Sequence, residues 1–250
     1  MKEIFRKGRT IIGFSIYDAF GAYILKEVGD IDFIVIGDSA SMVLKGYEDV
    51  KHVTIMEMIE YFKTVKRIID DKPVFIDLPY GTYGDMVDHR DTLHILRDLG
   101  VDGILVEGVY PKVIRDSLDL GLECIVHLGY MPKFDEYPRV IGEDDFDDLL
   151  RQVRYAEDLG CIAVKLELVK MDVARRIRES ISIPVLGTGS GPYVDGHILV
   201  LYDFLGMTPK FKPRFVRIYI DIFRMGVEAT RRLVRDILEG RYPDIDESYV

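Results

Sequence analysis

The sequence predicts a (β/α)8 barrel, an α/β fold built as a single domain over residues 1–250. Three observations lead there. Short runs rich in Val and Ile alternate with longer stretches of helical periodicity, and the alternation recurs along the whole chain. The runs are apolar on both faces, as strands of a parallel sheet covered on both sides must be. They are even in size, and no strand–glycine loop–helix unit opens the chain, which weighs against an open doubly wound sheet.

Residues 11–18 read as the first strand and 19–28 as an amphipathic helix ending near Gly29. The second strand is 33–37, followed by a loop over 42–54. A helix over 55–70 opens on Thr54 as N-cap, with Glu57 three residues on in the capping-box pattern. The third strand, 74–77, is halted by Leu78-Pro79. A helix over 89–99 stops at Gly100, the fourth strand is 103–106, a short helix covers 112–118, and the fifth strand is 124–127. The stretch 129–148 holds Pro132, Pro138 and Gly142 among aromatics and acids, and loops of this length in compact domains usually serve function. A helix over 146–159 leads to strand six at 162–167, a helix over 173–181 and strand seven at 183–186. That strand runs into Gly187-Thr-Gly-Ser-Gly191. An eighth apolar segment, 197–203, precedes helices over 210–227 and 228–239.

A formal net charge of −10 argues against nucleic acid or an anionic membrane as principal partner. The two cysteines, Cys124 and Cys161, open apolar runs and read as buried free thiols of a reducing compartment. CxxC and zinc spacings are absent, no apolar run reaches the roughly 18 residues of a membrane helix, and the charged start suits no signal peptide. A soluble cytoplasmic chain is expected.

The strand ends carry the chemistry. In such a barrel the active site lies at the carboxyl ends of the strands, and those ends present Asp18, Asp38 with Ser39, Asp77, Glu107, His127, Glu167 and the 187–191 loop. Converging carboxylates repel one another unless a cation or proton neutralises some of them. Oxygen ligands suit a hard ion, and Mg2+ needs only one or two direct carboxylates. This predicts Mg2+ at Asp38 and Asp77, with Glu107 as a third ligand or just behind them. Each carboxylate could equally cap a helix. His127, at the end of an apolar strand, is a candidate site residue, with a hydrogen-bonded core histidine as the alternative. His52, His89, His94 and His197 read as structural or surface residues. The 187–191 loop could hold an anion on its N–H groups or simply turn the chain. The run Glu143-Asp-Asp-Phe-Asp-Asp148 reads as a solvated helix start. Lys210, Lys212, Arg214, Arg217, Arg231, Arg232 and Arg235 read as an exposed or subunit-contact face.

At Ile36-Gly-Asp-Ser39, Asp77-Leu-Pro79, Val106-Glu-Gly108, His127-Leu-Gly129, Glu167, Ile183-Pro-Val-Leu-Gly-Thr-Gly-Ser-Gly191 and Asp195-Gly-His-Ile-Leu-Val200 the chain resembles the ketopantoate hydroxymethyltransferase family, over nearly its whole length. The resemblance implies a barrel of the phosphoenolpyruvate mutase and isocitrate lyase kind, assembled into a homo-oligomer such as a decamer. It implies Mg2+ on Asp38, Asp77 and Glu107, a small 2-oxo acid held by Asp38, Ser39 and Asp77, and Glu167 as general base; His127 is expected to bind the same substrate, and a base at Glu167 would need a pKa raised by its enclosed surroundings. The co-substrate it implies is 5,10-methylenetetrahydrofolate or a related pterin. Alternatives are another Mg2+-dependent lyase or aldol-type enzyme of the same superfamily, or a catalytically idle binding homologue.

The chain departs from the family pattern at identifiable points. Leu105 stands where the family has a substrate-contacting Lys two residues before its Glu, and Val126-His-Leu-Gly-Tyr-Met-Pro-Lys133 replaces Gly-His-Leu-Gly-Leu-Thr-Pro-Gln. Lys165 stands two residues before Glu167, and side chains two apart on a strand share a face. The expectation is that Lys165 takes over the missing cation and reaches the substrate carboxylate, or else pairs with a nearby acid.

Overall fold

Eight strands close into a barrel in the computed structural model, which describes all residues except Lys2, Asp85, Lys210, Phe211 and Val250. The strands are β1 Ile11–Ser15, β2 Phe33–Ile36, β3 Val74–Asp77, β4 Gly103–Glu107, β5 Glu123–Gly129, β6 Ala163–Glu167, β7 Val185–Thr188 and β8 Gly196–Val200. Each pairs in parallel with the next, and β1 pairs with β8 from Ile11↔Gly196 to Ser15↔Val200, which closes the ring. The helices are α1 Ala19–Val28, α2 Ala40–Val43, α3 Ile55–Lys66, α4 Arg90–Asp98, α5 Pro111–Asp119, α6 Phe146–Asp158, α7 Met171–Glu179, α8 Leu201–Phe204 and α9 Ile222–Leu238. Read from its sequence as one domain, the chain divides into two compact units, Met1–Leu201 and Tyr202–Val250.

In the first unit the barrel interior is apolar below the mouth. Phe33, Phe75, Leu105, Ile125, Leu186 and Ile198 cluster there with Phe5, whose ring lies 5.0 Å from Phe33 and 5.6 Å from Phe75. Gly13 and Gly103 make room for those rings: a Cβ on either would lie 2.4 Å from Phe33 or Phe75. Burying such a side chain contributes about 2–3 kcal/mol, so the floor is rigid and the polar groups are confined to the strand ends above it. The capping box on α3 forms as expected, with Thr54 N donating to Glu57 and Glu57 N donating to the Thr54 hydroxyl. Cys124 and Cys161 are buried free thiols. Among the described residues no helix is long and apolar enough to cross a membrane.

Several boundaries differ from the sequence reading. β1 ends at Ser15 rather than Asp18, because the Asp18 carboxylate accepts the Gly21 N–H at 2.8 Å and caps α1. One helical turn, α2, lies at the start of the expected 42–54 loop. The eighth apolar segment splits into β8 and the one-turn α8. In the second unit a single helix, α9, replaces the two expected over 210–227 and 228–239. It starts at Ile222 because the Asp221 side chain caps it by accepting the Arg224 N–H, and nothing at 227–228 interrupts its hydrogen bonding. Lys210, the expected first residue of that helix, lies outside the described residues. None of the residues of α9 is buried, and Phe223, Val234, Ile237 and Leu238 are exposed.

Candidate active site

The ends of β2 to β6 bring the expected side chains together. Asp77 and Glu107 are the last residues of β3 and β4, and Asp38 follows β2 by two residues. All three are buried. Gly37, just before Asp38, is required by close approach, since a Cβ there would lie 2.1 Å from the Ser15 hydroxyl. Parallel register then carries the polar layer around the wall: Glu107 pairs with His127, His127 with Lys165, and Gly129 with Glu167. Register partners share a face, so Glu107, His127 and Lys165 point into the same space. Leu105, one layer below Glu107, is part of the apolar floor.

The side chain at the centre of the three carboxylates was not singled out from the sequence. Lys133, with its side chain fully buried, places Nζ 2.5 Å from Asp77 Oδ1, 3.0 Å from Asp38 Oδ2 and 3.2 Å from Glu107 Oε1. Its backbone N–H also donates to Glu107 Oε2 at 3.0 Å. The chain reaches this position by a defined route. Gly129 has a φ of +96°, and a Cβ there would meet the Glu167 carbonyl at 2.3 Å, so only glycine allows the bend. The turn that follows is closed by Asp135, whose carboxylate accepts the Met131 N–H at 2.7 Å and whose own N–H donates to Met131 O. Phe134 packs against Tyr80, Tyr83 and Tyr110 at centroid distances of 6.1, 6.3 and 6.4 Å. One signal for Lys133 was present in the sequence, the change from Gln to Lys at the end of the His127-Leu-Gly motif.

The electrostatics follow from this packing. Burial would lower the Lys133 ammonium, but Asp38, Asp77 and Glu107 hold it well above its ordinary value. Burial raises Asp38 and, with the Asp38 charge beside it, pushes Asp77 up to about 8. The fit of Mg2+ can be tested on this geometry. The ion requires oxygens at about 2.0–2.1 Å in octahedral array, and the point on which these carboxylates converge is the Lys133 nitrogen. Among the described residues no group of three or more His, Cys, Asp or Glu side chains is arranged to hold a metal ion. The residues as arranged fit an ammonium and do not fit Mg2+.

Beyond Glu107, His127 sits between two acids, with Nδ1 3.6 Å from Glu107 and Nε2 3.3 Å from Glu167. Lys165 Nζ lies 2.7 Å from Glu167 Oε2, so it faces the mouth and is also ion-paired. Burial would raise Glu167, but Lys165 and then His127 outweigh it and hold the carboxyl down at about 2. This reverses the raised value expected for a base there, because the enclosure places the Lys165 ammonium against it. Among the described residues four buried side-chain atoms lack a hydrogen-bond partner: Ser15 Oγ, Asp38 Oδ2, and both ring nitrogens of His127. Buried polar atoms are rarely left unsatisfied, and all four lie on strands β1 and β5 or at the end of β2, around one mouth. They are donors and acceptors suited to a small oxygen-rich ligand.

The remaining expectations divide. Ser39 stands beside Asp38, its hydroxyl 2.5 Å from the Tyr17 hydroxyl. Asp18 caps α1. In the 187–191 loop the Ser190 hydroxyl donates to Leu166 O, accepts the Val169 N–H and is buried, so the loop braces β6 as a turn. His89 pairs with Asp116 and His52 stacks on Tyr47, both structural uses. In the acidic run Glu143 pairs with Arg176, and Asp145 accepts the Gly142 N–H and pairs with Arg139, at the solvated start of α6. Lys212, Arg214, Arg217, Arg231, Arg232 and Arg235 are exposed, and Lys210 lies outside the described residues.

Comparisons with known proteins bear on the chain as a whole. A family model described as ketopantoate hydroxymethyltransferase matches residues 1–245. A 3-methyl-2-oxobutanoate hydroxymethyltransferase of Flavobacterium johnsoniae is 33% identical over 99% of this chain and 94% of its own. One of Christiangramia forsetii is 35% identical over 97% and 92%. Among solved structures, 2,3-dimethylmalate lyase, a PEP mutase/isocitrate lyase superfamily member, superposes with a TM-score of 0.61 over 97% of this chain and 87% of its own, at 16% identity. The fold is that of this superfamily.

Proposed function

The chain belongs to the ketopantoate hydroxymethyltransferase family, and we propose that it transfers a hydroxymethyl group to 3-methyl-2-oxobutanoate at the barrel mouth, forming ketopantoate on the route to pantothenate. The observation that carries this reading is the ring of Asp38, Ser39, Asp77, Glu107, His127, Lys165 and Glu167 at the strand ends, where the Ser15 hydroxyl, one Asp38 oxygen and both His127 nitrogens are buried without an aligned hydrogen bond. The substrate is a small anion with three oxygens at one end. Its carboxylate suits Lys165 and the Ser39 hydroxyl, and the remaining oxygen suits the buried donors opposite.

Glu167 is ionised in the free site and accepts the C3 proton of the bound 2-oxo acid. Its low value makes it a weak base while Lys165 is paired to it alone. A substrate carboxylate on Lys165 divides that pairing and raises the basicity of Glu167 at the moment it is needed. Water adds to the methylene carbon of 5,10-methylenetetrahydrofolate or a related pterin, both C–N bonds break to release formaldehyde and the free pterin, and the C3 enolate adds to the formaldehyde, its alkoxide oxygen taking back the proton held on Glu167. His127, 3.3 Å from Glu167, orients the base. Mg2+ has no place in these steps, since Lys133 stands where the three carboxylates would hold it.

Homo-oligomerisation and a cytoplasmic location belong to the same reading. The first is supported by the apolar residues exposed on α9 and the second by the two free thiols. The test is exchange of the C3 proton of 3-methyl-2-oxobutanoate in D2O, followed by NMR, and then transfer from methylenetetrahydrofolate. Both are expected, and both should fall at least about 100-fold in Glu167→Gln. Exchange with a different 2-oxo acid and none with this one would move the assignment to a lyase or aldol enzyme of the superfamily.

A further inference from the structure

We propose that the Lys133 ammonium is the site's permanent cation, replacing a divalent metal at the three carboxylates and polarising the substrate's 2-oxo oxygen. This rests on the functional reading above for the identity of the substrate, but the assignment of the cation does not.

The geometry argues for a resident rather than a passing side chain. Lys133 contacts Glu107 at both ends, through its backbone N–H at 3.0 Å and through Nζ at 3.2 Å, so the backbone that carries the ammonium is itself anchored to one of the three acids. Gly129, the Asp135 cap and the packing of Phe134 fix the turn that carries it. A fully buried ammonium is tolerated only where acids surround it, and three carboxylates this close need a cation among them. Each half of the arrangement accounts for the other. An ion entering here would have to displace Nζ from all three acids.

The bonding leaves the ammonium a catalytic capacity. Its contact with Asp77 Oδ1 is a hydrogen bond, whereas Asp38 Oδ2, 3.0 Å away, is not aligned as an acceptor. An ammonium has three N–H groups, so a donor remains to be turned toward a ligand oxygen on the Asp38 side. There it stabilises negative charge developing on the 2-oxo oxygen as Glu167 takes the C3 proton. The position is occupied by Gln in the family pattern, and Gln carries no charge. The change to Lys is therefore a gain of one fixed positive charge at the point where a metal's charge would sit.

The test uses Mn2+ as probe, followed by electron paramagnetic resonance, with the C3 exchange assay run in EDTA. The wild-type chain is expected to bind no stoichiometric Mn2+ and to keep its exchange rate in EDTA. Lys133→Gln should bind one Mn2+ at least about 100-fold more tightly than wild type, the scale set by no longer stranding a buried charge. Its exchange should stop in EDTA and return with Mg2+. A wild-type chain that binds one Mn2+, loses it in Asp77→Asn and stops exchanging in EDTA would overturn the proposal. So would a folded Lys133→Gln that binds no Mn2+. The wild-type measurements need no variant to fold. If the Mn2+ pattern holds while neither protein exchanges 3-methyl-2-oxobutanoate, the cation assignment stands and the proposed substrate is wrong.

Discussion

Replacing Lys165 with Met tests how the base is held. The ammonium lies 2.7 Å from Glu167 Oε2, with both side chains largely buried, and it is the main reason that the Glu167 carboxyl falls from 4.5 to about 2. A depression of that size corresponds to about 3 kcal/mol of stability at neutral pH, at about 1.4 kcal/mol per pKa unit. The sign follows from the direction. A carboxyl whose folded value lies below its unfolded value stabilises fully above about 4.5, and the contribution is lost as pH falls toward 2. Wild-type stability should therefore decline over that acid window. Lys165→Met should lack the contribution already at pH 7, unfolding roughly 6–12 °C lower at 2–4 °C per kcal/mol. With the cation gone, burial dominates and Glu167 titrates above its ordinary value. The acid limb of the C3 exchange profile then moves to higher pH. Chemical denaturation at pH 7 and pH 3, with exchange rates from pH 4 to 9, measures both. An unchanged denaturation midpoint together with an unmoved acid limb would refute the pairing as the control on Glu167.

Two further perturbations address the surroundings. Gly129→Ala forces a Cβ to 2.3 Å from the Glu167 carbonyl at a φ of +96°. It should cost about 2–4 kcal/mol in a melting experiment and reduce exchange more than the loss of folded protein explains, because it shifts Lys133. Val234→Asp on the exposed face of α9 should leave chain stability within about 0.5 kcal/mol but lower the sedimentation coefficient, as a charge in a subunit contact would.

The barrel and its polar rim were legible because they rest on local rules. Runs apolar on both faces and the Thr54–Glu57 box specify their elements within a few residues of sequence. Strand ends in a parallel barrel project to one mouth whatever the details of the loops. Lys133 was not legible in the same way. Its place depends on a positive-φ bend at Gly129 and a side-chain-capped turn, both in a stretch with no periodicity to read. The value of Glu167 was missed for a related reason. Enclosure alone argues for a raised carboxyl, and it is the fold that brings Lys165 and His127 to line the enclosure. In the last fifty residues, helical periodicity was visible but its start was not, because the Asp221 cap competes with several equally polar positions before it.

The turn from Met131 to Asp135 carries one more consequence. A cation delivered on the chain is present once per site in any medium: there is no loading step, no chelator strips it, and no competing ion misloads it. The rim therefore becomes complete only when that turn docks, and folding and chemical readiness become a single event.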